Sequence, residues 1–333
     1  MNFTNETPFP AELLSTIIDA ERMTASLVAR VTYAMEGGPQ KRLVVASEQP
    51  WKVSRTPWES PRGTMEQDLP YMKGGVDLFM WGKARAPGGV PVESMEVAVE
   101  LSPAWETEGR TPFVRRARVT GKRVWIRRDG VHLVPSATAA FLEVPLTLDR
   151  AFGGKGVFDG LDVPWMENAA GIGFVMEEEK VEGSPLPQIE DPDAPVRAWT
   201  DRPPVCGFGF CPLVNQARFR NGLVLADDGE IKELRAEMFN AAYPPMIAKE
   251  ARPGDVLRVH GVLADGPLAI VLPEPPILLR LRFGEKLAER VPTIDQIGVE
   301  VDEGRVFVTY RFPFRYTVRL FELRDATLIT RKA

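Results

Sequence analysis

Short runs in which apolar and polar residues alternate, each closed by a turn dipeptide, set the limits on what this chain can fold into. In Ala117–Val134 (ARVTGKRVWIRRDGVHLV) the alternation reverses at Asp129-Gly130, and in VEVDEGRVFVTYRF it reverses at Glu303-Gly304. An Asp-Gly or Glu-Gly pair between two period-2 runs signals a β-hairpin, because glycine accepts the left-handed backbone that a tight turn demands. Thr16–Tyr33, broken near residues 20–24, reads as a hairpin too. Leu43–Ala46, Val76–Ala84, Ser94–Leu101, Asp255–Leu263, Leu268–Leu272, Ile277–Arg282, Gly298–Val301 and Tyr316–Leu323 read as single strands, and the whole set is expected to pair antiparallel. Most of the 28 glycines and 30 prolines fall between these runs. The expected class is therefore mainly β (β-rich α+β): antiparallel sheets in a sandwich-like body, long loops rich in Pro, Gly and Trp, and one principal helix. That helix is placed over Ile231–Ala242, where Ile231, Leu234, Met238 and Ala241 fall on one face, Asp228 offers an N-terminal cap and Pro244-Pro245 ends the run.

With 333 residues, 44% of them apolar, the chain can bury a large core. It reads as one β-rich domain over 1–333, divisible into an N-terminal β part (1–175), an acidic, proline-rich and exposed loop (176–200), and a C-terminal β part (201–333). Pro203–Cys211 returns the chain to packed structure. Pro50–Lys73 loses all periodicity but holds Trp51 and Trp58, which implies a long loop ordered by its aromatic residues.

The densest cluster of unusual residues is Pro145–Gly173 (PLTLDRAFGGKGVFDGLDVPWMENAAGIG). Gly153-Gly154 implies a sharp turn with positive φ. Before it stand Arg150 and Phe152; after it come Trp165 and the small-residue run Asn168 to Gly173, with Gly171 inside. An Ω-like loop packed on its own aromatic residues is the expectation, with Arg150 reaching back to carbonyls or to a carboxylate such as Asp77 or Glu190. A phosphate cradle is not expected, since GGKG lacks the spacing of a P-loop and no Ser or Thr follows Lys155. Elsewhere, Asp77 lies in an otherwise apolar run and needs a partner if buried. Arg123 and Trp125, two apart, share one strand face, either as a surface ladder or as a binding patch.

Several function classes find no support. The 41 basic and 46 acidic residues leave a net charge of −5 without charged blocks, so no nucleic-acid partner is expected. The sequence shows no export signal and no long apolar span, so no membrane partner is expected and the protein is placed in the cytoplasm. His132 and His260 stand singly and away from Cys206 and Cys211, so neither a metal nor a cofactor is expected, and the cysteines read as free thiols. Nucleophile-elbow, zincin and C-x-x-C motifs are absent, which points away from an enzyme. One catalytic or carbohydrate-binding alternative rests on carboxylates (Asp68, Asp77, Asp159, Asp162, Glu167 and Glu190) near Trp58, Trp81 and Trp165.

Taken in order, PYMKGGVDLFMWGKARAPGG (holding Lys73 and Asp77), VTGKRVW (Arg123 and Trp125), PLTLDRAFGGKG with Asn168–Gly173, LPQIEDP (Glu190), FNAAYPP, and IVLP followed by TIDQIGVEVDEGRVFVTYR resemble a bacterial family of domains of unknown function. Genes of that family sit beside those of type VI secretion spikes, and some members are regarded as adaptors or chaperones for spike-borne effectors. The resemblance spans nearly the whole chain, with RAFGG at Arg150–Gly154 its most specific element. This chain departs from the family in having Lys122 where Gly-Asp-Arg is frequent and Ala169 where Asn-Pro is frequent. Relatives often carry pentapeptide repeats after the domain, and the sequence here ends at Ala333 without them. The resemblance implies a non-enzymatic binding protein. It would hold an effector, or the proline-alanine-alanine-arginine (PAAR) tip domain attached to it, until mounting on the valine-glycine-repeat spike. A structural part of the spike is the remaining alternative.

Overall fold

The computed structural model describes residues 1–19, 21–38, 40–68, 71–104, 109–212, 215–318 and 323–331. Strand accounts for 49% of the chain and helical turns for 7%, so sheet faces and not helices supply the core. One mixed sheet dominates. In chain order its strands are β1 (Ala11–Ile17), β2 (Arg22–Glu36), β3 (Gln40–Val45), β4 (Val76–Trp81), β5 (Ser94–Ser102), β6 (Phe113–Thr120), β7 (Ile189–Glu190), β8 (Ile247–Ala248), β9 (Val256–His260), β10 (Leu268–Val271), β11 (Thr293–Glu300) and β12 (Arg305–Thr317). Across the sheet they run β7-β6-β5-β9-β10-β3-β2-β12-β11-β4-β8, with β1 also on β2, and the whole curls like half a barrel.

Strand β2 is the spine. One of its edges pairs with β12 from Arg22 to Ala34, while the other takes β1 along Met23–Ala29 and β3 along Tyr33–Glu36. Its residues are buried almost without interruption from Ala25 to Tyr33, which explains why its alternation is weaker than that of a strand with one wet face. Trp51, Phe79, Phe307, Val308 and Tyr310 fill the interior, and Trp51 stacks on Trp81 at 5.6 Å between ring centroids. A smaller core of Trp125, Phe152, Phe174, Val175, Val181, Leu186 and Val196 lies apart, with Trp165 and Trp199 against it. Trp105 lies outside the described residues. None of the described helices is long and apolar enough to cross a membrane.

Several expectations need correction. Not every pairing is antiparallel: β4 runs parallel to β11, β10 to β3, and Asn2–Asn5 to Arg324–Thr330. Each parallel pair joins segments far apart in sequence, where no turn dipeptide dictates direction. Residues 231–242 are not a helix. Ile231–Leu234 is a strand paired with Leu223–Leu225, and Ala236–Phe239 is a 3-10 turn. The competing signal was Asp228-Gly229: Asp228 accepts from the Glu230 amide, closing a hairpin turn instead of capping a helix. The one α-helix among the described residues, α1 (Gln216–Gly222), precedes this ribbon and is capped by Asn215, whose side chain accepts from the Ala217 amide.

The Asp129-Gly130 hairpin joins only Trp125–Arg128 to His132–Pro135, because Ala117–Thr120 belongs to β6 in the large sheet. Within the Pro50–Lys73 loop, Trp58–Ser60 and Gly63–Met65 form a small hairpin. The acidic 176–200 segment is exposed only in part: Glu178, Glu179 and Glu182 face solvent, but Val181, Leu186, Gln188, Ile189, Glu190 and Val196 are buried. Of the run Tyr316–Leu323, residues 319–322 lie outside the described residues; β12 reaches Thr317 and a strand resumes at Arg324.

Candidate functional site

The residues singled out from sequence fall into two regions. Lys73 and Asp77 belong to a buried charged hub on one face of the large sheet. Adjacent strands place Asp77 beside Gln296, Gln296 beside Thr309, and Thr309 beside Arg30 in one cross-strand row. Residues in register on neighbouring strands project to the same face, so the row becomes a chain of hydrogen bonds. Arg30 Nε donates to Thr309 Oγ1 at 2.8 Å, and Thr309 Oγ1 donates to Gln296 Oε1 at 2.9 Å. Gln296 Nε2 donates to Asp77 Oδ2 at 3.2 Å. Asp77 is wholly buried, and its carboxylate also accepts from Lys73 Nζ at 2.7 Å, Asn240 Nδ2 at 2.9 Å, and the amides of Ala241 and Ala242 at 3.0 and 3.1 Å.

A second tier supports the first. Arg30 Nη2 reaches Asp68 at 2.7 Å, and Arg311 holds Asp295 with two hydrogen bonds of 3.0 and 2.9 Å. Asp295 occupies an irregularity in the β11–β12 pairing, which brings its carboxylate 3.8 Å from Lys73 as well. Burial by itself would raise the Asp295 carboxyl, but Arg311 and then Lys73 outweigh it and hold the group below the usual carboxylate range. A cavity of about 300 Å³ lies against Asp68, Lys73 and Gln296, walled by Met65, Tyr71 and Phe239.

Arg123, Trp125, Arg150, Phe152, Gly153, Gly154, Trp165, Asn168, Gly171, Gly173 and Glu190 meet in the second region. Phe152-Gly153 lies parallel to Ile172-Gly173, and both glycines of the Gly153-Gly154 pair have positive φ, 150° and 99°. A Cβ on Gly153 would stand 2.1 Å from the Asn168 carbonyl oxygen, and one on Gly154 2.6 Å from that of Gly171. Glycine is required here because backbone meets backbone. Asn168 locks the junction: its Nδ2 donates to the carbonyls of Leu148 and Phe152, while its own carbonyl accepts from Gly154 and Gly171. Gly173 lies against Pro187, and Trp165 fills the space beside Phe152 and Phe174 at 5.6 and 5.1 Å between centroids.

Arg150 does not reach Asp77 or Glu190. Its Nη1 donates to Gln188 Oε1 at 3.0 Å, its Nε lies 3.3 Å from Asp149, and its side chain is about a third exposed. Asp77 is taken by Lys73, and Glu190 by Arg123 at 3.0 Å. Arg123 also donates to the Pro187 carbonyl at 3.0 Å. The face shared by Arg123 and Trp125 is thus neither a surface ladder nor an open patch, since Trp125 fills the smaller core and the nearly buried Arg123 side chain is held by Glu190 and Pro187.

Gln188, Asn240, Gln296, Arg30 and Arg311 complete these regions and were not singled out from sequence. Arg30 and Arg311 carry the same signal that marked Asp77, a charge inside an apolar strand run. Asn240 and Tyr243, both in FNAAYPP, tie the regions together: Asn240 binds Asp77, and the Tyr243 hydroxyl donates to the Glu167 carbonyl at 3.2 Å. The carboxylates considered for sugar chemistry are already engaged, Asp68 with Arg30, Asp77 with Lys73, Glu167 with Arg220 and Glu190 with Arg123. Asp159 and Asp162 sit on an exposed hairpin, Lys155–Phe158 paired with Leu161–Pro164. Burial pushes the Cys206 thiol up to about 11 and that of Cys211 up to about 12, so both are neutral at pH 7.

Residues 20–311 match DUF2169, a family described as uncharacterized protein conserved in bacteria. The chain belongs to that family. The DUF2169 match takes in both regions, from Arg30 on β2 to Arg311 on β12. No curated protein and no solved structure matches the chain.

Proposed function

We propose that this protein is a non-enzymatic adaptor. In this reading it binds a type VI secretion effector, or the PAAR-type tip domain attached to one, in the cytoplasm and assists its loading onto the valine-glycine-repeat spike. The resemblance of the ordered motifs to a family encoded beside spike genes is the source of the partner class. The observation that carries the reading is how the motif charges are used. Lys73 with Asp77, Arg123 with Glu190, and Arg311 with Asp295 are spent on one another, so the motifs build a scaffold instead of presenting reactive groups.

Recognition then falls to exposed side chains outside the motifs' charged pairs. The hairpin that leaves the glycine junction carries Phe158 and Leu161, 58% and 69% exposed, on either side of its turn. Large apolar residues at such tips are the types that anchor protein contacts. Co-expression with the product of each neighbouring spike, tip or effector gene, followed by affinity capture and size-exclusion chromatography, is expected to yield a stable complex with one of them. Failure with every neighbour ends the adaptor reading. Secretion-dependent appearance of this protein in the culture medium would favour a structural part of the spike instead.

A further inference from the structure

We infer that the outer edge of β1 at Ser15–Ile17, with the cavity beside it, binds an extended segment of a partner protein as an added strand and seats one tyrosine of that segment in the cavity. The inference deepens the adaptor reading, on which it rests for the partner's role, by naming the kind of segment that is held.

The phase of the β1–β2 ladder settles which backbone groups face outward. At its two ends the Arg30 amide donates to the Pro10 carbonyl at 3.0 Å and the Ile18 amide to the Arg22 carbonyl at 2.9 Å. Alternate residues of an antiparallel pair turn their backbone groups to the partner strand, so Glu12, Leu14 and Thr16 bond to β2 while Leu13, Ser15 and Ile17 turn theirs away from it. The Leu13 carbonyl accepts from Arg55 Nη2 at 3.0 Å, which closes the edge on that side. The amides and carbonyls of Ser15 and Ile17 have no partner among the described residues. Exposed edges are commonly guarded by charge, proline or a bulge, as Lys286–Arg290 is guarded by Lys286, Glu289 and Arg290. Ser15–Ile17 has no such guard, and its alternating donors and acceptors are complementary to another extended backbone.

Side chains decide what strand fits. Pairing with Thr24, Ser26 and Val28 puts Thr16, Leu14 and Glu12 on the face of the sheet that carries Arg30 and the hub. Exposed Thr16 lines the cavity of about 300 Å³ together with buried Met65, Asp68 and Gln296, so the cavity opens beside the β1 edge. A strand added there points every second side chain toward it. The volume is at the lower limit for small-molecule sites and suits one large side chain. Met65, Tyr71 and Phe239 wall a space for a ring. Arg218 takes one oxygen of the Glu66 carboxylate at 2.7 Å, and the other, without a partner among the described residues, is an acceptor for a phenolic hydroxyl. On the opposite face Ile17 is 70% exposed and can pair with an aliphatic neighbour of that tyrosine. A second copy of this chain is a poorer match. Its own β1 would bring Leu14, which is buried where it stands, and Thr16, which is too short to fill the cavity.

Fluorescence anisotropy with a labelled, end-blocked peptide of sequence Ser-Thr-Val-Tyr-Val-Thr-Ser tests this on the full chain. Saturable binding in the micromolar range is expected. Replacing the tyrosine by alanine should weaken it by about tenfold or more, and by phenylalanine severalfold. Ser15→Pro removes an outward amide and no β1–β2 hydrogen bond, so it should abolish binding with little change in melting temperature. Thr16→Trp, which fills the mouth of the cavity from an exposed position, should do the same. Three results overturn the inference: no saturable binding at millimolar peptide, binding indifferent to loss of the tyrosine, or binding that Ser15→Pro and Thr16→Trp both leave intact. A chain that binds no peptide but dimerises through this edge, the dimer being lost in Ser15→Pro, assigns the edge to a second copy and overturns it as well. The peptide assay needs no neighbouring gene product, so the two readings fail separately. Peptide bound with no neighbour captured ends the adaptor reading and leaves the strand site standing; a neighbour captured equally by the unaltered and Ser15→Pro chains ends the strand site and leaves the adaptor.

Discussion

At Asp77 five donors converge on one buried carboxylate near one end of the large sheet; at Gly153-Gly154 two residues without side chains let one stretch of backbone press against another. Both regions fall inside the span shared with DUF2169, and both tie together segments distant in sequence. The hub does it with buried charge, where a lost partner leaves another charge stranded. The junction does it with shape, where an added atom has no room. The difference teaches that the hub should fail when something is removed and the junction when something is added.

The largest expected effect is therefore at the hub. Asp77→Ala strands Lys73 and leaves the amides of Ala241 and Ala242 and the side chain of Asn240 without an acceptor, and should cost about 3–5 kcal/mol in urea unfolding. A cost near that of an ordinary surface substitution would show that the hub tolerates removal and would break the comparison. Asp295 sharpens it through pH. Its folded carboxyl is held below the usual range, so the stability it contributes is present above the unfolded pKa and lost as pH falls through the lower folded value. The melting temperature should accordingly drop on the acid side of the carboxylate range, and Asp295→Asn should flatten that limb.

Gly153→Ala comes next, at about 1–3 kcal/mol from backbone strain, with the close contact to the Asn168 carbonyl adding to it. Hydrogen exchange should show protection lost around Trp125, Phe174 and Val181 while the Val308–Tyr310 stretch of β12 stays protected. Equal opening of both cores would mean that the two regions are one cooperative unit. The smallest effect belongs to Arg150→Ala, which removes one hydrogen bond to Gln188 and a partly exposed pair with Asp149, and should cost about 1 kcal/mol or less. A well-folded Arg150→Ala protein that no longer captures its cargo would assign that side chain to recognition and not to the junction.

Much of each region was legible in the sequence, but unevenly. The Gly153-Gly154 turn followed from residue type, since few other residues accept positive φ. Asp77's need for a partner followed from its apolar neighbours. Arg150's partner was misread because Asp77 and Glu190, each plausible by charge, were already claimed by Lys73 and Arg123. The expected helix over 231–242 failed because two patterns overlap there: a 3.6-residue spacing across the segment and an Asp-Gly turn just before it. The turn prevailed, and a bulge at Lys232 then restored a common face to Ile231 and Leu234.

By itself the sequence determined most of the long strands, tight turns such as Asp129-Gly130 and Glu303-Gly304, and the need of Asp77 for a buried partner, because backbone preference and side-chain alternation act over a few neighbouring residues. Only the tertiary structure decided that β4 runs parallel to β11, and that Asp77 meets Gln296 across a separation of 219 residues and Asn240 across one of 163. Those choices depend on cross-strand register between remote segments, in which each strand must present its buried charge opposite a complement. No local pattern encodes that match.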